Sequence, residues 1–483
     1  MYSRQLDGAK GKMSELDALL INPISARMIP AFIPHGLLYI GAYAIKRGYN
    51  IAVLDRNVED NDVKEILLRT RPKVVGLGCL TGTSIDDAIY VSKIIKELDP
   101  SIKIVWGGIH TTLYPDSVLQ EKFVDYVVIG DGEIAFTRLL DNVIRKDISL
   151  ESIDNLGYKA GGQLIYNNRV NADLDSLPLP AWHLINVEKY IRKKFYANRV
   201  ITINTSRGCP YKCSFCCVPT VHLGKWRGVS AERIIENLKY LIDNYKIDGF
   251  QVDDDEFDIK RKRVIELCDL LKLNNINLKW SHFSRINIVR EDVLKKEIEC
   301  GLRLVEFGVE SGSPRMLKFL NKGQTVEQII AVYKLCKKLR LRASALFMIG
   351  LPTEETSDLM ETVELIKRID PHLTICTIYR PYPGTELFDY CIDKGLFSYE
   401  NALEKVGGIY EGMINTSNIE DKLLLKVKSY FDRRNIYYEI KFILTRMKLG
   451  LMLYYFKHYF ISYLKRFLKV RLAVANSVDD IKK

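Results

Sequence analysis

The chain has 483 residues, 47% apolar and 27% charged, which is enough for two or three domains with sizeable cores and too apolar for wholesale disorder. Ten cysteines in a long chain without a secretory signal argue against a disulfide framework and for a cytoplasmic location, and no apolar run reaches bilayer-spanning length. The net charge is +11, but 15 Lys/Arg against 5 Asp/Glu from Asp421 to Lys483 put +10 of it in the tail. A partner attracted by charge would therefore meet the tail and not the body.

Residues 16–145 alternate short β-rich runs with helical patterns. DALLINP (17–23) reads as a strand, GLLYIGAYAIKRG (36–48) as a helix closed by Gly48, YNIAVLD (49–55) as a strand and KVVGLGCL (73–80) as another. SIDDAIYVSKIIKEL (84–98) is a helix, and KIVWGG (103–108) and YVVIGDGE (126–133) complete five strands. This alternation predicts a doubly wound, flavodoxin-like parallel sheet whose ligands sit beyond the strand carboxyl ends. The loops to watch are 23–35, 80–84, 107–115 and 130–134.

Residues 150–195 read as a linker holding one hairpin (GYKAGGQLIYNN) and a Pro-punctuated connector. From Val200 six strand–helix repeats follow, ending in LTICTIYRPYPG (373–384). Six are too few for a closed eight-fold barrel, so a partial (β/α)6 barrel is expected, with its chemistry at the strand C-termini. The domains predicted are thus 1–149, 150–195 (linker), 196–400 (barrel) and 401–483 (a helical, basic C-terminal region).

The first barrel strand runs into Cys209-Pro-Tyr-Lys-Cys213-Ser-Phe-Cys216, spaced C-x3-C-x2-C. Three thiolates on one short loop can hold three irons of a four-iron cluster and leave the fourth open. Structural zinc needs a fourth ligand at finger-like spacing. Cys217 points elsewhere by adjacency, and His222 is poorly placed.

RGCPYKCSFC, after a strand and opening a partial barrel, resembles the signature of the radical S-adenosylmethionine (SAM) superfamily. The resemblance implies a [4Fe-4S] cluster on Cys209, Cys213 and Cys216. The open iron then chelates SAM, whose reductive cleavage yields a 5′-deoxyadenosyl radical, and Phe215 packs near the adenine. Further matches follow in order. FQVDDDEF puts Asp254 and Asp255, ahead of Asp253, near the methionyl amino group. Arg285 faces the cofactor carboxylate, and GVESGS puts Glu310 and Ser311 at the ribose. FMIGLPTE places Gly350 on the adenine side, and RPYPGTEL (380–387) matches the sixth strand. The match covers about 200–397 and implies an electron donor of flavodoxin or ferredoxin type.

GGIHTTLYPD (107–116) and GDGEIAF (130–136) resemble the cobalamin-binding domain fused upstream of radical SAM barrels in one large subfamily. The resemblance implies cobalamin near Thr81, Thr83, Gly107, Gly108 and Gly130. No D-x-H-x-x-G motif occurs, so no protein histidine is expected beneath cobalt; His35 and His110 are read as hydrogen-bonding or packing groups. A plain flavodoxin-like regulatory domain is the alternative.

The family's commonest chemistry is methylation, one SAM supplying a methyl group to cobalamin and a second the radical that activates the substrate. Cyclisation, oxidation, rearrangement and a non-enzymatic cobalamin sensor stay open beside it. RNA methylthiotransferases need three further N-terminal cysteines, and only Cys79 precedes Cys209. An anaerobic porphyrin oxidase would have a cysteine where Val218 stands.

Residues 430–471 hold twelve aromatics among many Lys and Arg. They fit either a basic amphipathic helix lying peripherally on an anionic membrane, at its inner face, or a helical cap packed on the barrel. The first would favour a lipid-like substrate over another small molecule. Nucleic acid is disfavoured, because the aromatics are helix-spaced and not set on an open sheet or groove.

Overall fold

The computed structural model describes residues 15–25, 31–59, 62–398, 403 and 413–446, the side chains of 439–446 excepted. Strands β1 (Ala18–Asn22), β2 (Ile51–Asp55), β3 (Val74–Gly78), β4 (Lys103–Gly107) and β5 (Tyr126–Val128) form a parallel sheet ordered β2-β1-β3-β4-β5. This is the flavodoxin-like order. ALLIN, IAVLD and VVGLG are nearly continuous apolar runs because both faces of the sheet are covered by helices. Leu20, Val53, Val74 and Val105 enter one core, while Leu19, Leu54, Val75 and Ile104 enter the other.

The hairpin assigned to the linker is part of this sheet. β6 (Leu156–Ala160) pairs antiparallel with β5 and then with β7 (Gln163–Tyr166). Gly161 and Gly162, at φ +56° and +78°, supply the two positive-φ positions that a tight hairpin turn needs. Leu156 and Tyr158 are drawn into the core against the edge that β5 would otherwise leave bare.

The connector that follows is pinned between the two halves. The Trp182 indole N–H donates to Asn237 Oδ1 at 2.8 Å, and the Tyr190 hydroxyl donates to Asp55 Oδ2 at 2.5 Å.

The second sheet begins with β8 (Arg192–Lys194), an edge strand antiparallel to β9 (Ala197–Ile203). A two-stranded ladder, β10 (Ser206–Arg207) with β11 (Arg227–Gly228), brackets the cysteine loop. The parallel series continues through β12 (Gly249–Val252), β13 (Lys279–Ser284), β14 (Leu302–Glu310), β15 (Arg342–Ile349) and β16 (Thr374–Ile378). The order is β16-β15-β14-β13-β12-β9-β8, so six parallel strands curl into the open partial barrel that the repeat count predicts. Residues facing the helices, such as Phe250, Trp280, Val305, Phe307, Ala345 and Phe347, are buried, leaving the alternate positions to the barrel interior.

The first half of the helix Asp421–Arg446 is a packed cap. Leu424, Val427 and Phe431 are buried, and Phe431 meets Phe347 edge-on at 5.5 Å. Asn435 Oδ1 accepts from the Thr374 N–H and hydroxyl at 2.8 and 2.9 Å. Tyr437 is exposed and Tyr438 donates to Asp370; the later aromatics of the tail, including Tyr454, Tyr455, Phe456, Tyr459, Phe460 and Phe467, lie outside the described residues. Among the described residues no helix is long and apolar enough to cross a membrane.

Candidate active site

The cysteine loop leaves the C-terminal end of the first barrel strand. Gly208 precedes it at φ +84°, and a Cβ there would lie 2.1 Å from the Lys225 carbonyl, so only glycine fits. Its N–H donates to Asp255 at 2.7 Å. Cys209 and Cys213 are buried; Cys216 and Cys217 are half-buried. Burial raises the Cys209 thiol and pushes Cys216 up to about 12, so these groups become good ligands once a cationic centre displaces the proton. Among the described residues no three His, Cys, Asp or Glu side chains close on one point as a single ion requires. A four-iron cube would take the three thiolates on three separate irons.

The side chains around this loop divide by partner. Arg285 Nη1 lies 3.1 Å from Cys213 Sγ, its guanidinium covers the Tyr211 ring at 3.9 Å, and it donates to the Lys322 carbonyl. It therefore supports the cysteine loop. Glu310 sits at φ +66° beyond a register shift in β14 and accepts from Lys322 Nζ at 2.7 Å. Lys322, 5% exposed, also lies 5.7 Å over the Phe215 ring, so it joins two predicted positions. Sequence reading missed it, although the Asn321-Lys322-Gly323 turn after a short helix was its visible signal. Phe215 packs in a cluster with Met316, Leu320, Leu351 and Tyr379. The Gly350 N–H donates to Glu354 at 2.6 Å, and its carbonyl accepts from Thr416.

Two predicted cofactor contacts are turned elsewhere. Asp254 accepts from the Thr205 N–H and hydroxyl, both at 2.6 Å, and from the Ser206 hydroxyl at 2.7 Å. It faces outward because Asp253 and Asp254 alternate at the end of β12, so it braces the turn into the cysteine loop. Ser311 is fully buried, with its hydroxyl 3.2 Å from that of Thr362 and accepting from the Ser313 N–H. Its role is to hold the turn after β14. Asp255 and Asp253, by contrast, line the large cavity described next.

That cavity, about 520 Å³, lies between the strand ends of the first sheet and the first strands of the barrel. Gly107, Gly108 and Gly130 line it, as expected from their loops. Thr81 and Thr83 do not belong to the lining; Thr81 faces His110 Nδ1 at 3.2 Å and Tyr382, and Thr83 starts the helix Ser84–Leu98. Gly36 also lines it, and a Cβ there would meet nothing within 4 Å, which leaves a bare backbone wall for a large planar group. Leu20, Ile33, Leu37, Ile40 and Phe136 add apolar surface. The residues present thus fit a corrin: apolar walls, glycine-rich strand ends and few competing side chains.

His35 and His222 belong to the chamber lining, and His35 Nδ1 has no hydrogen-bond partner among the described residues, whereas His110 stands outside the lining. His35 Nε2 is 3.4 Å from Thr202 Oγ1, and its ring meets Trp182 edge-on. His110 packs on Tyr114.

An ion network ties the two halves at the cavity rim. Arg207, beside the cysteine motif, reaches Asp131 at 2.9 Å and Glu133 at 2.5 Å, and Arg227 reaches Asp131 at 2.5 Å. The Arg207 guanidinium also covers the Tyr39 ring at 5.2 Å. Burial pushes the Asp131 carboxyl up, but the two guanidiniums outweigh it and hold the group at about 2. The GDGE sequence marked this loop; its partners across the interface were not legible.

A cysteine loop at the end of the first strand of an open barrel, beside a glycine-lined chamber on a flavodoxin-like sheet, defines a radical enzyme with a second cofactor-binding domain. Residues 203–366 match the model of the Radical SAM superfamily, and residues 30–140 that of the B12 binding domain. The uncharacterized methyltransferase PH0819 of Pyrococcus horikoshii is 34% identical over 369 residues, covering 75% of this chain and 79% of that protein. The anaerobic magnesium-protoporphyrin IX monomethyl ester cyclase of Rubrivivax gelatinosus is 27% identical over 386 residues, 76% and 68% of the two chains. The fold is similar to that of the radical SAM methyltransferase TsrM from Kitasatospora setae, solved with cobalamin and a [4Fe-4S] cluster (TM-score 0.66, 18% identity, 79% and 75% covered). The chain belongs to the cobalamin-binding radical SAM enzymes, whose cofactors are a [4Fe-4S] cluster, SAM and cobalamin.

Proposed function

We propose that this enzyme transfers a methyl group from SAM, by way of cobalamin, to a carbon of a small-molecule substrate. The observation that carries the reading is the shared chamber: Gly107, Gly108 and Gly130 of the first sheet and Asp253 and Asp255 of the barrel line one cavity. Methyl donor and radical source would then address the same bound substrate, which is what positioning catalysis requires. The Pyrococcus relative's name supports methyl transfer; the cyclase relative keeps ring formation as the alternative outcome.

When bound, cluster and SAM supply the radical and cobalamin carries the methyl group. The chain's own part is placement. Cys209, Cys213 and Cys216 hold the cluster, Arg285 and Lys322 brace its loop and Glu310, and Phe215 offers an apolar face. Gly107, Gly108 and Gly130 would hold cobalamin, and the lack of a D-x-H-x-x-G motif supports binding without a histidine ligand. A reductant of flavodoxin or ferredoxin type delivers the electron.

The test uses anaerobically reconstituted protein with cobalamin, methyl-deuterated SAM and a small-molecule extract. Methyl transfer predicts a product bearing the labelled methyl together with 5′-deoxyadenosine. Formation of 5′-deoxyadenosine with an unlabelled product would replace it by cyclisation or oxidation. Electron paramagnetic resonance of the bound cobalamin should show no histidine nitrogen coupled to cobalt.

A further inference from the structure

We infer that the barrel interior beneath the cluster is a subsite for a basic nitrogen, an amine or guanidine on the substrate, received by Glu306 and Asp253. The inference rests on the methyl-transfer reading only in taking this interior as the place where substrate binds.

The register defines the layers. Thr202, Gln251, Ser281, Leu304 and Arg342 are paired across the sheet on the interior face. One step nearer the cluster, Phe283 pairs with Glu306 and Glu306 with Ser344, and Asp253 follows Gln251 by two residues. Their chain neighbours Val252, Val305, Phe307, Ala343 and Ala345 are buried against the helices, so Asp253, Glu306 and Ser344 must face inward. This layer lies below Arg285 and Glu310, toward which the strands continue.

The hydrogen bonding inside it is incomplete. Glu306 is 9% exposed, and among the described residues neither its carboxylate nor that of Asp253 has a hydrogen bond or an ion pair within 4 Å. Ser344 is 1% exposed, and its hydroxyl has no partner. The nearby ammonium, Lys194, donates to Gln251 Oε1 instead. Burial raises both carboxyls, Lys194 drawing each back in part and Arg192 also drawing back Asp253, and burial lowers Lys194. The buried Glu306 carboxylate, the half-buried Asp253 carboxylate and the Ser344 hydroxyl thus lack direct partners, while the two cations nearby are engaged elsewhere, Lys194 with Gln251 and Arg192 with the Ala31 carbonyl. Unpaired polar groups at such depth are costly and are seldom kept without a use. A cationic nitrogen entering from the chamber would satisfy both carboxylates and accept the Ser344 hydroxyl as a neighbour. A lipid tail would instead bury them against hydrocarbon.

Ligand-observed NMR on the full-length, anaerobically reconstituted protein tests this with butylamine and butylguanidine against butanol and butyrate. The cations should bind at least about tenfold more tightly than butanol, butyrate should not bind, and Glu306→Gln should weaken cation binding about tenfold. Ser344→Ala should fold and show a smaller loss. Equal binding of butanol, absence of cation binding, or cation binding indifferent to both substitutions overturns the inference. Because the readout is binding without turnover, it stands apart from the methyl-transfer assay. A labelled methyl product lacking a basic nitrogen sinks this subsite alone, and cation binding beside an unlabelled product sinks methyl transfer alone.

Discussion

Replacing Asp131 by Asn isolates the ionic link between the two halves of the molecule. The side chain is 5% exposed and meets Arg207 at 2.9 Å and Arg227 at 2.5 Å, while its second role, accepting from the Ala172 N–H at 2.8 Å, survives in Asn. A carboxyl drawn from its ordinary 3.8 to about 2 contributes roughly 2–3 kcal/mol at neutral pH. Leaving two half-buried guanidiniums short of a counter-charge points to a loss of about the same size or slightly more. The sign follows from the lowered carboxyl: the contribution is complete above about pH 4 and disappears as pH falls toward 2. Urea unfolding of the apo-protein, followed by far-ultraviolet circular dichroism, should therefore separate wild type from Asp131→Asn by about 2–3 kcal/mol at pH 7 and bring them together near pH 2. In a cycle with Arg227→Met the two losses should fall short of additivity by at least about 1 kcal/mol. A difference below about 0.5 kcal/mol at pH 7, the size typical of exposed pairs, or a gap that persists at pH 2 would refute the reasoning.

Three further outcomes are expected. Alanine at Cys209, Cys213 and Cys216 together should abolish both the cluster absorbance and 5′-deoxyadenosine formation, whereas Cys217→Ala should keep them; loss in the single variant would reassign the ligands. Burial pushes the Glu354 carboxyl up to about 7, so wild-type stability should decline by roughly 3 kcal/mol from about pH 4.5 to 7. Glu354→Gln, which keeps the acceptor for the Gly350 N–H at 2.6 Å, should flatten that slope, and an unchanged pH profile of unfolding would contradict it. Phe431→Ala should cost about 3–5 kcal/mol, and a chain ending at residue 420 should be insoluble or inactive, because the cap covers β15 and β16. Undiminished 5′-deoxyadenosine formation by the shortened chain would show that the cap is dispensable.

The arrangement of strands was legible because period and composition are local. Alternation of apolar runs with helical patterns announced five parallel strands and six barrel repeats, and C-x3-C-x2-C marked the three-thiol loop. The hairpin was legible as a hairpin from Gly161-Gly162. That it completes a sheet was not, since edge pairing with β5 is a long-range choice. Likewise, FQVDDDEF showed an acidic strand end, but strand alternation sends Asp254 outward to Thr205 and Ser206 and Asp253 inward. A one-residue question of facing is decided only by register.

By itself, then, the sequence determined what short-range spacing controls: two α/β units, a three-thiol loop, glycine-rich strand ends and the concentration of basic charge in the tail. The tertiary structure decided which distant groups meet. Lys322 reaches Glu310 and Phe215, Arg207 crosses to Asp131 and Glu133, and Phe431 covers the outer face of the barrel. Each of these pairings joins segments that pattern cannot relate, because burial and hydrogen bonding select partners only after both sheets have formed. The same reason hid the inward layer of Asp253, Glu306 and Ser344, three polar residues that look unremarkable along the chain. Only when the strands align do they turn to the same inner face of the barrel.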